Sequence, residues 1–303
     1  MTGIGRRPLW LSIAMYAVLG VTSLIILYPL AFMVLATFTT VDQYLRTAFF
    51  PIPNSFSFQN YVTILSDCSQ GCMLGAIVVT WIRCLWYIFW ALLVAIMGGY
   101  AFGRLTFPFK NALFLFTLSG LMVPPLLTAL PHYIMLARFP LVGGNSIWGI
   151  GGSGFINTLP ALGMLGLVNV IALFLVKQNY EMLPGDYEEA ARVDGAGTLR
   201  VIFQIYVPML KPALTAVAIL EFVQIWNDYF GPLIFVGGNR DITPVALTVQ
   251  RLIYAYTQRQ GDTVGDFPLI FAAATLMSIP TVLVYLALQR YFVEGLVGAG
   301  IKG

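Results

Sequence analysis

Pro184-Gly185-Asp186-Tyr187-Glu188-Glu189-Ala190-Ala191-Arg192-Val193-Asp194-Gly195 is the most informative stretch of this chain. Asp186 is the residue type of a helix N-cap, Glu189 follows three positions later as in a capping box, and Gly195 is placed for a left-handed C-terminal residue. A short helix with both ends marked is predicted. Thr198 is a second N-cap candidate. Leu199, Ile202, Phe203 and Tyr206 then recur at i, i+3, i+4 and i+7, an apolar stripe that Pro208 is expected to terminate. The segment therefore reads as two short helices at an angle. Periodicity alone leaves open that they simply lie on a membrane surface.

Outward from this segment the chain is strongly apolar. Of 303 residues, 59% are hydrophobic and 10% charged, and the mean hydropathy is +0.84. Soluble domains run at about 45–50% apolar and about 25% charged. Apolar blocks lie at about 9–38, 72–102, 111–136, 155–176, 212–236 and 267–289. Each is long enough for a span of about 20 residues, and none alternates as a barrel strand does. The expected fold is an all-α integral membrane protein with six transmembrane helices in one domain, residues 1–303, with a polar loop at 177–211 and a tail at 290–303. The first block follows Arg6 and Arg7 and is too long for a signal-peptide core, so it reads as a retained span. A net charge of +3, with its basic residues dispersed, excludes nucleic-acid binding.

Basic residues near span ends set orientation. With a cytoplasmic N-terminus the inner side holds Arg6, Arg7, Arg104, Lys110, Lys177, Arg192, Arg200, Lys211, Arg290 and Lys302, and the outer side Arg46, Arg138, Arg240, Arg251 and Arg259. Both termini and the 177–211 loop are thus expected on the cytoplasmic side of a cell (inner) membrane, with the spans in contact with lipid. Cys68 and Cys72 could bridge or stay free, and Cys84 reads as a small apolar helix residue.

Glu189-Ala190-Ala191, three residues, Gly195, nine residues and Ile205-Tyr206-Val207-Pro208 resemble the E-A-A-x3-G-x9-I-x-L-P signature of the permease subunits of ABC importers, with Val207 in place of leucine. Tyr100-Ala101-Phe102-Gly103-Arg104-Leu105-Thr106-Phe107-Pro108 is similar to the family's A-Y-A-F-A-R-x-x-F-P stretch, with glycines at 99 and 103 where alanine is usual. Trp226-Asn227-Asp228 and the ending from Gln289 to Gly303 resemble the carbohydrate-uptake (maltose-type) branch. The Gly-rich stretch 143–154 fits the pattern poorly.

The resemblance implies a type I ABC importer permease fold and import of a sugar or sugar-like solute. It implies as partners two cytoplasmic ATPase subunits, which bind the ATP and Mg, a second homologous permease and an extracytoplasmic solute-binding protein. The loop would be a coupling helix seated in the ATPase through Glu188, Glu189, Ala190, Ala191, Asp194, Gly195, Ile205 and Pro208, with Glu189 facing a basic residue there. Glu188→Lys, about 100° around the helix, is then expected to be milder than Glu189→Lys. Gly300, Lys302 and Gly303 would touch the ATPase from the tail. A non-sugar solute, an ion-coupled secondary transporter and, more weakly, a thiol oxidoreductase using Cys68 and Cys72 are the competing readings.

Several polar residues fall inside the apolar blocks. Glu221, Gln224 and Asp228 sit at i, i+3 and i+7, on one helix face, and with Asn227 they are candidates to line a translocation pathway. They could equally form an inter-helix lock, or in the case of Asp228 sit at the outer interface. Pro124-Pro125 and Pro131 should kink the third span, His132 reads as a helix-end residue, and Arg83 either snorkels or pairs with a carboxylate such as Glu221. No phosphate loop of the G-x-x-x-x-G-K-[ST] type, nucleophile triad or metal-spaced cluster occurs, so the chain is expected to be no enzyme, with no catalytic, cofactor or metal residues. Deleting Gly298 to Gly303 should lower solute-stimulated ATP hydrolysis and leave membrane insertion intact; unchanged stimulated hydrolysis in reconstituted vesicles would count against a tail contact.

Overall fold

The computed structural model describes residues 9–47, 50–69, 71–164, 166–257 and 266–300, and the regular structure among them is helical. Among the described residues, three helices are long and apolar enough to cross a membrane: α1 (Leu9–Ala36), α4 (Met73–Arg104) and the part of α13 from Phe267 to Gln289. Two further apolar segments are bent. Lys110–Met122, which contains α5 (Lys110–Ser119), meets α6 (Pro125–Ala137) at 97°. The break falls at Val123-Pro124, where consecutive prolines remove the amide donors that would continue the helix. α9 (Thr198–Met209) meets α10 (Lys211–Asn227) at 81°.

The expected fourth span, 155–176, is helical only at its end. α7 runs from Val170 to Met182, its N-terminus capped by the Asn169 side chain, which accepts from the amides of Ile171 and Ala172. Before it, a 3-10 turn (Leu159–Leu162) and several glycines interrupt the apolar run. Thirteen residues at 1.5 Å each reach only about 20 Å. The sixth crossing counted from hydropathy therefore rests on a short helix. The expected fifth span, 212–236, is likewise divided into α10 and α11 (Phe230–Val236), because Asp228 leaves the helical conformation. The remaining elements are α2 (Val41–Arg46), α3 (Gln59–Ser66), α8 (Asp186–Val193), α12 (Val245–Thr257) and α13 as a whole (Phe267–Gly300). Lys302 and Gly303 lie outside the described residues, and Gly300 is placed only as the last residue of α13.

The chain packs as two compact units, residues 1–68 with 251–276 and residues 69–250 with 277–303. In the first, Phe32 packs edge-on to Tyr44 and Phe271, while Phe38 is ringed by Phe56, Phe58 and Tyr61. Asn60 donates to the carbonyls of Thr37 and Thr39, fastening α3 beneath the end of α1. Of α1 itself only Ala36 is buried; most of the helix up to Leu30 is exposed, as a lipid-facing helix requires, and its last turns are half-buried against the rest of the unit.

In the second unit α4 lies against α7 and α10. Without water, helices in a bilayer associate by close packing, and small residues permit it. A Cβ on Gly99 would stand 2.9 Å from Val176 and 3.2 Å from the Lys177 amide, and one on Gly103 2.9 Å from Tyr180. The glycines at these two positions are thus what lets α7 approach. Trp226 is fully buried among Trp81 and Phe222, and its indole N–H donates to the Met277 carbonyl.

The Gly-rich connection that fits the family pattern poorly closes on itself. Asn145 donates to the carbonyls of Ala137 and Phe139 and accepts from the Gly152 amide. Gly143, at φ +60, comes so near Gly154 that a Cβ would overlap its carbonyl. Cys68 and Cys72 are disulfide-bonded, and Cys84 is a buried free thiol.

Gly99→Val and Gly103→Val should each lower the thermal midpoint of the detergent-solubilised chain, overpacking of this kind costing about 1–3 kcal/mol. Gly20→Ala, where nothing stands within 4 Å of the new Cβ, should not. Thermal fluorescence size-exclusion of the three variants checks this.

Candidate functional site

α8 begins one residue earlier than its capping signals suggest. Gly185 is the N-cap and makes no side-chain cap bond, so Asp186 is not the cap and lies inside the first turn with Glu188 and Glu189. Three carboxylates there meet the positive end of the helix dipole, and Arg192 sits in the last turn. Gly195 does take the expected left-handed conformation, at φ +81, and the Ala196 amide closes the helix end on the Ala191 carbonyl at 2.9 Å. Thr198 is not a cap either; Gly197 precedes α9 with no side-chain cap bond.

Pro208 does not end α9, which runs on to Met209. Instead, Val201–Tyr206 widens into a π-helical segment just before it. Proline offers no N–H to the turn behind it, and a wider turn accommodates that loss. Only part of the expected stripe turns inward. Val201, Ile202 and Tyr206 are buried, whereas Leu199 and Phe203 are exposed.

Glu188 is the centre of this region. Its carboxylate accepts from the Tyr100 hydroxyl at 2.7 Å, from Arg192 Nη2 at 2.7 Å and Nε at 3.0 Å, and from the Tyr206 hydroxyl at 2.9 Å. Tyr100 is on α4 and Tyr206 on α9, so one carboxylate fastens α8 to both. Burial pushes the Glu188 carboxyl up, but the hydrogen bonds from Tyr100, Arg192 and Tyr206 and the Arg192 charge outweigh it and hold the group below the usual carboxylate range. Beneath it, Tyr100, Tyr180 and Tyr206 are fully buried with ring centroids 5.2–6.1 Å apart. Arg104 stacks 5.1 Å over the Tyr206 ring and donates to the Leu183 carbonyl.

The residues grouped by sequence as a docking set thus divide by face. Glu188 turns inward, and Ala191 and Ile205 pack against the core cluster. Glu189, Ala190, Asp194 and Pro208 are exposed, and beside them on α8 so are Asp186, Tyr187 and Val193, the last at 88%. The bracket of Tyr100 and Tyr206 around Glu188 was not foreseen; only the i, i+4 spacing of Glu188 and Arg192 hinted at it.

A second site lies in the apolar part of the same unit. Glu221, Gln224 and Asp228 line one cavity of about 720 Å³ together with Arg83 and His132. Asn227 does not join them, and donates back to the Val223 carbonyl. Arg83, only 7% exposed, pairs with Asp228 rather than with Glu221. The pairing follows from the break after Asn227, which frees the Asp228 side chain to accept from both Arg83 and the Gly231 amide. Arg83 also donates to the Leu162 carbonyl and lies 5.4 Å over the Tyr87 ring.

Residues 91–297 match the model of the binding-protein-dependent transport system inner membrane component family. The chain belongs to this family. The permease is 30% identical over 83% of its length, and 83% of the relative's, to the melibiose/raffinose/stachyose import permease protein MelC of Bacillus subtilis. It is 27% identical to the lactose transport system permease protein LacG of Rhizobium radiobacter, over 99% of both chains. With the osmoprotective compounds uptake permease protein GgtD of Synechocystis it shares 31% identity over 69% of its length, and the match spans 64% of that relative. Its fold is that of a chain in the crystal structure of a bacterial ABC transporter involved in the import of the acidic polysaccharide alginate, at a TM-score of 0.78 over 96% of the permease and 18% identity.

The inward position of Glu188 gives it a part in stability. Glu188→Lys sets a second cation against Arg192 and should lower the thermal midpoint of the permease, whereas Glu189→Lys should not. Because its folded pKa lies below the unfolded one, Glu188 contributes stability that is fully present above about pH 4.3 and is lost as pH falls through the lower folded value. Thermal midpoints between about pH 6 and about pH 3 should therefore converge for Glu188→Gln and the unmodified chain at the acid end.

Proposed function

We propose that this permease imports a sugar or sugar-like solute as one of two homologous membrane subunits. Two cytoplasmic ATPase subunits holding ATP and Mg drive it, and an extracytoplasmic binding protein supplies the solute. The observation that carries the coupling part is the two-sidedness of α8. Its back is fastened by Glu188 to α4 and α9, and its front presents Glu189, Ala190 and a largely exposed Val193. A helix built this way moves as one body with the core behind it. Ala190 lets a partner backbone come close, Val193 offers an apolar contact, and Glu189 offers a charge-assisted hydrogen bond.

When the ATPase subunits close, α8 is displaced, and Glu188 passes that displacement to α4 and α9 rather than letting α8 swing alone. Asp194, Gly195 and Pro208 shape the turn and the second helix behind the contact. The tail, through Gly300, Lys302 and Gly303, adds a further contact with the ATPase. Glu221, Gln224 and Asp228 line this subunit's share of the pathway, and the sugar names of several relatives support the solute class. The excess of basic residues at one set of span ends supports a cytoplasmic position for both termini. The disulfide-bonded Cys68 and Cys72, on the expected outer side, suit an oxidising compartment.

Glu189→Lys tests the reading. It should leave the thermal midpoint unchanged and weaken ATPase retention on co-purification roughly tenfold or more, since hydrogen bonds to charged groups contribute about 1.5–3 kcal/mol. Solute uptake should fall with it. Full retention together with full uptake would remove the docking role of this face.

A further inference from the structure

The connection from Arg138 to Phe155 turns four large apolar side chains outward: Leu141, Ile147, Trp148 and Ile150 are each between 65% and 82% exposed. They are held in that position. Ser146 Oγ accepts from the Trp148 and Ile150 amides, the Ser146 amide donates to the Ile150 carbonyl at 2.9 Å, and the Ser146 carbonyl accepts from the Leu141 and Gly149 amides. Gly149, at φ +68, comes so near Arg138 that a Cβ would overlap its carbonyl. With Asn145 tied to Ala137, Phe139 and Gly152, the loop cannot fold its apolar tip back onto the core without breaking these bonds.

The depth of the loop follows from α4. Leu74, Val78, Ile82, Leu85 and Phe89 form an exposed stripe along one side of that helix, which at 1.5 Å per residue covers about 22 Å of the apolar layer. Val79 lies within this stretch and packs against the cluster of Leu136, Ala161, Leu162 and Val236. Leu136 is also the root of the loop, its carbonyl accepting from the Phe155 amide at 3.0 Å. Because Asn145 and Gly149 return to residues 137–139, Trp148 stays near that level. The tip therefore stands at the edge of the hydrocarbon, on the side of the membrane away from α8, which Tyr100 fastens near the opposite end of α4.

Lipid suits this patch better than a soluble partner does. A docking surface for a soluble protein sets its apolar centre in a polar, solvated rim, yet no Asp, Glu, Lys, Arg or His occurs from Phe139 to Val176. Irregular backbone is not tolerated in contact with hydrocarbon, which confines the loop itself to the interface and lets only its side chains go deeper. Tryptophan is enriched at that boundary, and a neighbouring arginine reaches from it to the headgroups. Arg138, exposed at the loop root, is placed for this. We propose that residues 138–155 form an interfacial membrane anchor, with Leu141, Ile147, Trp148 and Ile150 inserted at the headgroup–acyl boundary and Arg138 at the level of the lipid phosphates. Anchored there, the loop fixes the end of α6 at one depth in the bilayer.

The test places a nitroxide on Trp148→Cys in the complete complex, in nanodiscs of phosphatidylcholine and phosphatidylglycerol with no soluble protein present. Cys84 is buried and Cys68 and Cys72 are disulfide-bonded, so the label is selective. Oxygen, which concentrates in lipid, should relax this label more than nickel-EDDA, which stays in water, and the depth read from the two should fall about 5–10 Å into the headgroup–acyl boundary. Asp241→Cys, on the exposed connection before α12, should show the reverse order. If Trp148→Cys does not assemble, Ile147→Cys decides by the same measurement. Relaxation dominated by nickel-EDDA at the labelled tip overturns the anchor and leaves the patch as a water-facing surface for a soluble partner.

Discussion

A single carboxylate, Glu188, joins the solvent-exposed and apolar parts of the larger unit. A helix of eight residues is too short to persist by propensity alone, so α8 must be held from outside. The Tyr100 and Tyr206 hydroxyls do this, Arg192 of α8 adds a bond of its own to the Tyr100 hydroxyl, and the three buried rings beneath them make the anchor rigid. Because Tyr100 lies near the end of the long helix α4 and Tyr206 ends the widened turn before Pro208, a force on α8 reaches α4 and α9 through directed hydrogen bonds. The exposed front is left free for a partner because the attachment is confined to the back.

The bilayer imposes the second constraint. Apolar contact gives little net drive between helices surrounded by hydrocarbon, so packing distance and internal satisfaction of polar groups decide the arrangement. Gly99 and Gly103 answer the first requirement by letting α7 lie against the backbone of α4. Arg83 and Asp228 answer the second by neutralising each other where neither could be left alone.

Much of this was legible from residue order. The apolar blocks, the proline break of the third span, the left-handed Gly195 and the shared face of Glu221, Gln224 and Asp228 follow from local rules: span length, missing amide hydrogens, backbone sterics and the helical repeat. Where local rules failed, a longer-range effect overrode them. Asp186 and Thr198 have the chemistry of caps, yet glycines one position earlier took the cap positions. Leu199 and Phe203 of the expected stripe stay exposed, while Ile202 and Tyr206 join the core of the larger unit.

The sequence by itself determined that this is a helical membrane chain with an E-A-A loop between apolar segments, because hydrophobic length and motif spacing are one-dimensional properties. Only the tertiary structure decided that Glu188 faces inward while Glu189 faces out, that Arg83 pairs with Asp228 instead of Glu221, and that Asn227 stands apart from the cavity. Those outcomes depend on how each helix is rotated and where it breaks, and residues as distant in sequence as Arg83 and Asp228 meet only once the bends at Leu210 and Asp228 have been set.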